Sequence, residues 1–194
     1  MLETESTFPT DVFVSPASGY RTKFSGITVR PFASAPGRPE TGHAAAEALA
    51  RELARAGLFE TVQMGEPDGA PGSAPESAPA LEVTGRVLHW LDGGPALPGR
   101  LETEIQVHDP TQTPPRLLWW ARHLAESEPT GHRDLILFQL RGRPAKPAGD
   151  LLGQSARVYG RMMAASSACF PPADPPRCPE PAIQQPVNPV PPGR

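Results

Sequence analysis

The most regular pattern along the chain lies between Gly26 and Val62, where a strand pattern, a helix pattern and a second strand pattern follow one another. Ile27 and Val29 share one face of the first strand, and Pro31 closes it because proline has no N–H to donate to a sheet. The length and order of these patterns predict one βαβ unit.

The helix of this unit is marked by apolar residues that recur every three or four positions, with most charged residues on the other side. The apolar positions are Ala46, Leu49, Ala50, Leu53 and Ala54. Thr41 stands where an N-cap is expected, and Gly57 stands where a left-handed residue would end the helix.

Three later segments alternate between apolar and polar residues with the period of a strand. They are Leu81–Trp90, Leu101–His108 and Leu117–Ala125. Short turns rich in glycine and proline join them, which predicts an antiparallel meander with one covered face and one solvated face.

Two further segments complete the predicted architecture. In residues 133–141 the apolar residues nearly run together, which fits either a strand or one or two helical turns. Residues 150–167 have helical spacing, and their predicted inner positions are Leu151, Leu152, Ser155, Val158, Tyr159 and Met162. The fold class predicted from these patterns is α+β, a two-layer sandwich in which a mixed sheet of four or five strands carries two helices on one face.

Composition divides the chain further, because 27 of its 194 residues are proline. Residues 65–80 contain no apolar side chain larger than alanine, and residues 169–194 are rich in proline and poor in large apolar residues. We therefore predict an N-terminal arm over 1–25, one domain over 26–168 with a flexible insert at 65–80, and a disordered tail over 169–194.

The charge pattern narrows the classes of partner. The formal net charge is −3, and no basic stripe with interleaved aromatic residues is present, which argues against a nucleic-acid partner. No run approaches the roughly 20 apolar residues that a membrane helix needs. The first residues are acidic and polar rather than a signal peptide, which leaves two alternatives open. Either the protein is cytoplasmic, or it is an envelope protein whose leader or lipid anchor is not present in the given chain.

The two cysteines, Cys169 and Cys178, lie nine positions apart at the edge of the proline-rich tail. They fit a disulfide that closes this short loop in an oxidising compartment, and they equally fit two exposed thiols. Two thiolates without neighbouring histidine or cysteine form an incomplete zinc shell, so we expect no metal and no other cofactor.

The candidate catalytic residues are histidines and carboxylates of the meander. His89, His108 and His123 lie at or near strand ends, while Glu102 and Glu104 share one strand face. A small metal- or carboxylate-dependent hydrolase is therefore the alternative function. Packing or solvent-facing histidines and solubilising glutamates are the more common explanation of such patterns, and no serine has a nucleophile-elbow context, so we expect a protein that is not an enzyme.

The tryptophans point to a surface instead. Trp119 and Trp120 must project to opposite faces of one strand, so one enters the core and the other lies on the far face. Tryptophan is enriched at interface hot spots, and we take Trp90 and Trp120 as candidates for a partner surface. The alternative is that the N-terminal arm or the segment 133–141 covers the far-face tryptophan.

Several of these features occur together in a known group of proteins. A strand ending in V-x-P-F, an alanine-rich helix and a following F-x-x-V resemble the amino-terminal domain of TolB and the envelope lipoproteins CsgG, LpoB and PelC. The matching residues are Val29, Pro31, Phe32, Ala46, Ala48, Leu49, Ala50, Glu52, Leu53, Gly57, Phe59 and Val62. Two later segments, Ala80–Val87 and Ile105–Ala121, are also similar to strands of this group.

The resemblance implies a non-enzymatic, periplasmic or outer-membrane-associated lipoprotein. Such a protein would take part in an assembly, secretion or export complex through contacts with envelope proteins or with copies of itself. This chain departs from the group because it has no lipid-acceptor cysteine near its start, no propeller and no long amphipathic hairpins, so a pore is not expected. The resemblance supplies no catalytic residues.

Overall fold

The computed structural model describes residues 11–14, 24–66, 80–130, 133–135, 138–140 and 142–168. Within these ranges the chain forms eight strands and two helices. In chain order they are β1 (Asp11–Val14), β2 (Gly26–Val29), α1 (Thr41–Ala56), β3 (Thr61–Met64), β4 (Ala80–Leu91), β5 (Gly99–Asp109), β6 (Arg116–Ser127), β7 (Arg133–Leu135), β8 (Phe138–Leu140) and α2 (Ala148–Ala168).

Six strands form one mixed sheet in the order β1-β6-β5-β4-β2-β3. Strand β2 pairs in parallel with both β3 and β4, while β4, β5, β6 and β1 pair antiparallel. The predicted βαβ unit and meander therefore meet where β2 joins β4. The α+β class and the two-layer arrangement are confirmed: β2 to β6 are the five strands of the predicted domain, and β1 of the N-terminal arm adds a sixth at the edge.

The segment 133–141, which the sequence left open between strand and helix, contains two short strands. β7 and β8 pair with each other as a separate two-stranded sheet and do not join the main one. Residues 67–79 and 169–194, most of the predicted insert and all of the predicted tail, lie outside the described residues. No helix in the described part of the chain is long and apolar enough to cross a membrane.

Both helices pack on one face of the sheet, where the apolar side chains of the strands are collected. Leu49 and Leu53 of α1 and Leu151 of α2 are almost fully buried in one core with Trp119 of β6. Burying each such side chain contributes roughly 1.5–3 kcal/mol. Most of the stability of both helices therefore comes from this layer rather than from helix propensity.

The two ends of α1 differ in how well the sequence predicts them. Gly57 ends the helix in the left-handed conformation, with φ 61°, as expected. The predicted N-cap was wrong, because Thr41 is already helical and its hydroxyl donates to the carbonyl of Arg38 at 2.8 Å. Ser34 from the preceding loop caps the helix instead, since its Oγ accepts a hydrogen bond from Gly42 N at 3.0 Å. Ser34 lies eight residues before Gly42, so the sequence at the start of the helix does not indicate this cap.

The predicted inner positions Leu151, Ser155 and Tyr159 of α2 are buried, but Leu152, Val158 and Met162 are only partly buried. Met163 is 1% exposed, whereas the predicted Met162 is only half-buried. The inner positions Leu151, Ser155 and Tyr159 recur every four residues up to Met163, which is the spacing of one helical face. Of the three glycines in α2, Gly149 lies near the Trp90 ring, Gly160 faces α1 beside Glu52, and Gly153 has only the Arg157 side chain within 4 Å of an added Cβ.

Candidate functional site

The face of β4, β5 and β6 opposite the helices, called the open face below, carries mostly polar and charged side chains. Strand alternation places them there, because their sequence neighbours fill the core on the other side. The open face comprises Glu82, Thr84, Arg86, Arg100, Glu102, Glu104, Gln106, His108, Trp120, Arg122, Leu124 and Glu126.

Glu104 lies at the centre of this face, between Arg86 on β4 and Arg122 on β6 in the pairing register. Its carboxylate accepts hydrogen bonds from Arg86 Nη2 at 3.0 Å and from Gln106 Nε2 at 3.5 Å. Burial works to raise the pKa of Glu104, but the hydrogen bonds from Arg86, Trp120 and Gln106 and the charge of Arg86 outweigh it and lower the pKa. Glu104 is therefore a fixed anion at neutral pH.

Three more ion pairs order the open face and its margin. Arg122 donates to Glu102 at 2.6 Å, and Arg100 pairs with Glu126 at 2.7 Å. At the edge toward β2, Arg30 pairs with Glu82 at 3.1 Å. Opposite charges that face each other across strands stabilise a sheet by a few tenths to about 1 kcal/mol each.

In three of these four ion pairs, those of Arg86, Arg100 and Arg122, the guanidinium group is more exposed than the carboxylate beneath it. The Arg86 side chain is 58% exposed while its partner Glu104 is 7% exposed, and Arg100 is 48% exposed over a Glu126 that is 11% exposed. A guanidinium has five N–H donors, and each carboxylate can occupy only some of them. The open face therefore presents Arg86, Arg100 and Arg122 as exposed guanidinium groups, each held by a carboxylate of the sheet.

Trp120 is the aromatic residue of this surface. It lies half-buried beside Gln106 in the register, and its indole hydrogen-bonds to the carboxylate of Glu104. Phe13 of β1 occupies the paired position on the other side. Trp119, the residue before Trp120 in β6, is fully buried and donates from Nε1 to Ser166 Oγ at 3.3 Å. Trp119 and Trp120 therefore lie on opposite faces of the sheet, as alternation predicts.

Trp90, the other predicted surface residue, lies on the helix side of the sheet. The β4–β5 register shifts between Val87 and His89, and the shift places Trp90 opposite the core residue Leu101. Its indole donates to Asp92 Oδ1 at 3.1 Å, and the same oxygen accepts from Ala148 N, the first residue of α2, at 3.3 Å. Trp90 thus helps to anchor α2, and a partner surface built on the open face contains Trp120 alone.

The three candidate catalytic histidines do not converge. His123 is buried under α2, whereas His108 and the exposed His89 pair in register with Glu82 and Glu102 on the open face. Burial lowers the pKa of His108, opposed by the charge of Glu82, and its Nδ1 is buried without a hydrogen-bond partner. Glu102 and Glu104 are both engaged by arginines, so the geometry does not assemble the predicted acid–base pair.

In the part of the chain that the structure describes, no three histidine, cysteine, aspartate or glutamate side chains are grouped so that they could hold a metal ion. Cys169 and Cys178 lie outside that part, so their disulfide stays a prediction.

A buried polar cluster joins α2 to the sheet, and it was not recognised as a cluster from the sequence. His123 Nδ1 lies 2.7 Å from Ser155 Oγ, and Thr103 Oγ1 lies 3.3 Å from Ser155 Oγ and 2.8 Å from Tyr159 Oη. Tyr159 also donates to the carbonyl of Thr103 at 2.7 Å. The sequence does contain a sign of this cluster, because four residues with polar side-chain groups stand at positions of β5, β6 and α2 that face the core.

The chain is similar in structure to solved proteins, but no comparison assigns it to a family. No family model matches the chain, and no curated protein matches it. The PelC dodecamer from Paraburkholderia phytofirmans is similar with a TM-score of 0.49 and 18% identity, over 61% of this chain and 80% of that chain. A DUF330 protein from Xanthomonas campestris is similar with a TM-score of 0.43 and 8% identity, over 79% of this chain and 90% of that one. At these identities and TM-scores the similarity carries no functional information.

Proposed function

We propose that this chain is a non-enzymatic accessory protein of the cell envelope that docks on another protein, or on copies of itself, through the open face of its sheet. The observation that carries the proposal is the pair of arginines, Arg86 and Arg122, held by carboxylates on the same face as Trp120. In this proposal the chain is a lipoprotein-type component of an assembly, secretion or export complex.

The side chains of the open face are of the types that carry binding energy in protein interfaces. Tryptophan and arginine are the residues most enriched at interface hot spots. A flexible side chain loses about 0.5–1.5 kcal/mol when an interface immobilises it. Arg86 and Arg122 are already held by Glu104 and Glu102, so this cost is partly met before a partner arrives.

The envelope location rests on the resemblance of the βαβ unit to the TolB amino-terminal group. The residues that carry this resemblance have defined structural roles here: Gly57 ends α1, and Leu49 and Leu53 fill the core. The location also favours a disulfide between Cys169 and Cys178, because disulfides persist in oxidising compartments.

Two experiments test location. Fractionation of the native host should recover the protein with the periplasm or the outer membrane, and its intact mass without reductant should lack two hydrogens relative to the reduced protein. Recovery from the cytosol with two free thiols would contradict the envelope assignment.

A third experiment tests docking. A photo-crosslinking amino acid at position 120 in the native host should give a discrete adduct, whereas one at Arg51, whose side chain is 72% exposed on α1, should give none. The adduct should disappear when Arg86→Glu and Arg122→Glu are combined, because like charges then replace both central pairs. Equal adducts from both positions would remove the open face as the docking surface.

A further inference from the structure

Helix α2 is joined to the sheet by a polar connection that involves one titratable imidazole. His123 on β6 is 5% exposed, and the hydrogen bond from its Nδ1 reaches Ser155 on α2 at 2.7 Å. Ser155 and Tyr159, one helical turn apart, both meet Thr103 on β5. The contact therefore spans two strands and the helix.

The proton arrangement of this cluster suits a neutral imidazole. Tyr159 uses its own proton for the carbonyl of Thr103, so the Thr103 hydroxyl is free to donate to Tyr159 Oη. Ser155 can then donate to His123 Nδ1. Protonation at Nδ1 removes that acceptor, and Ser155 must reverse its hydroxyl toward Thr103 at the longer distance of 3.3 Å.

Within the described residues, no neighbouring charge contributes to the pKa shift of His123, so none compensates a positive charge on the imidazole. From α2 the titratable neighbour is Tyr159, whose pKa is raised by burial and which stays neutral. Glu102 and Glu104 of β5, and Arg122 of β6, lie on the opposite face of the sheet in ion pairs. Within the described residues, α1 directs no charged side chain at this cluster, since Glu52 is engaged by Arg55.

Burial lowers the pKa of His123 below its ordinary value of 6.5. An exposed imidazole takes up a proton at higher pH than the buried one does. A state in which α2 is detached from the sheet therefore binds more protons below pH 6.5 and gains population as the pH falls. Above pH 6.5 His123 is neutral whether α2 is docked or detached, so docking does not change with pH there through this residue.

We propose that His123 is an acid-sensitive latch: its protonation releases α2 from the sheet while α1 and the strands beneath it remain folded. Among the described residues, the contact between α1 and the sheet contains no buried titratable side chain comparable to His123. Leu49, Leu53 and Ile27 form an apolar interface there, and the buried polar residue of α1 is Thr41, whose hydroxyl does not titrate in this range. Opening in separate units is a common property of folded domains.

Hydrogen exchange resolved by segment, corrected for intrinsic exchange rates, tests the latch between pH 8 and pH 5. Protection of α2 amides should be constant above pH 6.5 and should fall by up to about tenfold per pH unit between pH 6.5 and the folded pKa of His123, because one proton is taken up per opening event. Protection of α1 amides should change much less. Loss of protection in both helices together would overturn the proposal, because it would indicate global unfolding.

Two variants and one titration complete the test. His123→Gln retains a side-chain hydrogen-bonding group but cannot titrate, and it should abolish the selective pH dependence of α2. His89→Gln removes an exposed imidazole and should leave that dependence intact. In the unaltered protein, an NMR titration should give His123 a pKa below the ordinary imidazole value of 6.5. An equal or higher pKa, or an unchanged pH dependence in His123→Gln, would refute the latch even if one variant folded poorly.

Discussion

The ring of Phe32 occupies the space in front of Gly85, with both Cδ atoms 3.0 Å from the position that a Cβ on Gly85 would take. The chain continues its pairing with β4 beyond Pro31, since Ala33 N donates to the carbonyl of Gly85 at 2.9 Å. Both residues belong to segments that carry the resemblance to the TolB group. Their packing gives that sequence pattern a structural reason.

A methyl group at position 85 should therefore destabilise the domain. Gly85→Ala brings a Cβ to 2.8 Å from the backbone carbonyl oxygen of Glu104 as well as into the Phe32 ring, and overpacking of this kind costs about 1–3 kcal/mol. Urea unfolding followed by circular dichroism measures the loss. Gly94→Ala is the matched control because nothing lies within 4 Å of its added Cβ, and an equal loss in both variants would exclude a specific role for the Phe32 contact.

Gly153→Ala should instead raise the free energy of unfolding. Gly153 lies on the exposed side of α2, the side-chain atom nearest to an added Cβ is Arg157 Nη1 at 3.7 Å, and alanine in a helix interior is favoured over glycine by roughly 0.5–1 kcal/mol. The contrast is Gly57→Ala, which forces alanine to φ 61° and should cost roughly 1–2 kcal/mol. Thermal and urea unfolding of the two variants should shift in opposite directions.

The two adjacent tryptophans should respond very differently to truncation. Trp119→Ala removes a fully buried side chain with an edge contact to Tyr159, and such a cavity costs about 3–5 kcal/mol. Trp120→Ala should cost clearly less in unfolding free energy, because the side chain is half-buried on the open face. Equal losses of stability would mean that Trp120 is a core residue.

The loss of folding stability at acid pH should depend on Glu104. Because the folded pKa of Glu104 is lowered from 4.5, the folded state binds fewer protons than the unfolded state, so this stabilisation is present above pH 4.5 and is lost as the pH falls through the folded pKa. Glu104→Gln should flatten the pH dependence of the unfolding free energy below pH 4.5. Glu128→Gln, at an exposed position, is the control and should keep the dependence of the unaltered protein.

Much of the architecture follows from local patterns. The helical spacing around Leu49 and Leu53 and the alternation in β4, β5 and β6 predicted the elements and the core face, because side-chain direction in a helix or strand repeats with a fixed period. Gly57 ends α1 for an equally local reason, since its backbone conformation is one that glycine adopts without cost.

The features that the sequence missed all involve register or distant partners. One shift of register near His89 moves Trp90 from the predicted surface to the helix side, and Ser34 replaces Thr41 as the cap because a loop folds back on the helix. The short segments β7 and β8 pair only with each other, which their apolar composition did not indicate.

By itself, the amino-acid sequence determined which faces of α1, β4, β5 and β6 are apolar, because that information repeats every two or every 3.6 residues. Only the tertiary structure decided that Glu104 is held by Arg86 of the neighbouring strand and that His123 meets Ser155 beneath α2. These contacts join residues far apart in the chain, and the physical quantities that matter there, burial and hydrogen-bond geometry, exist only once the sheet has its register and the helix lies on it.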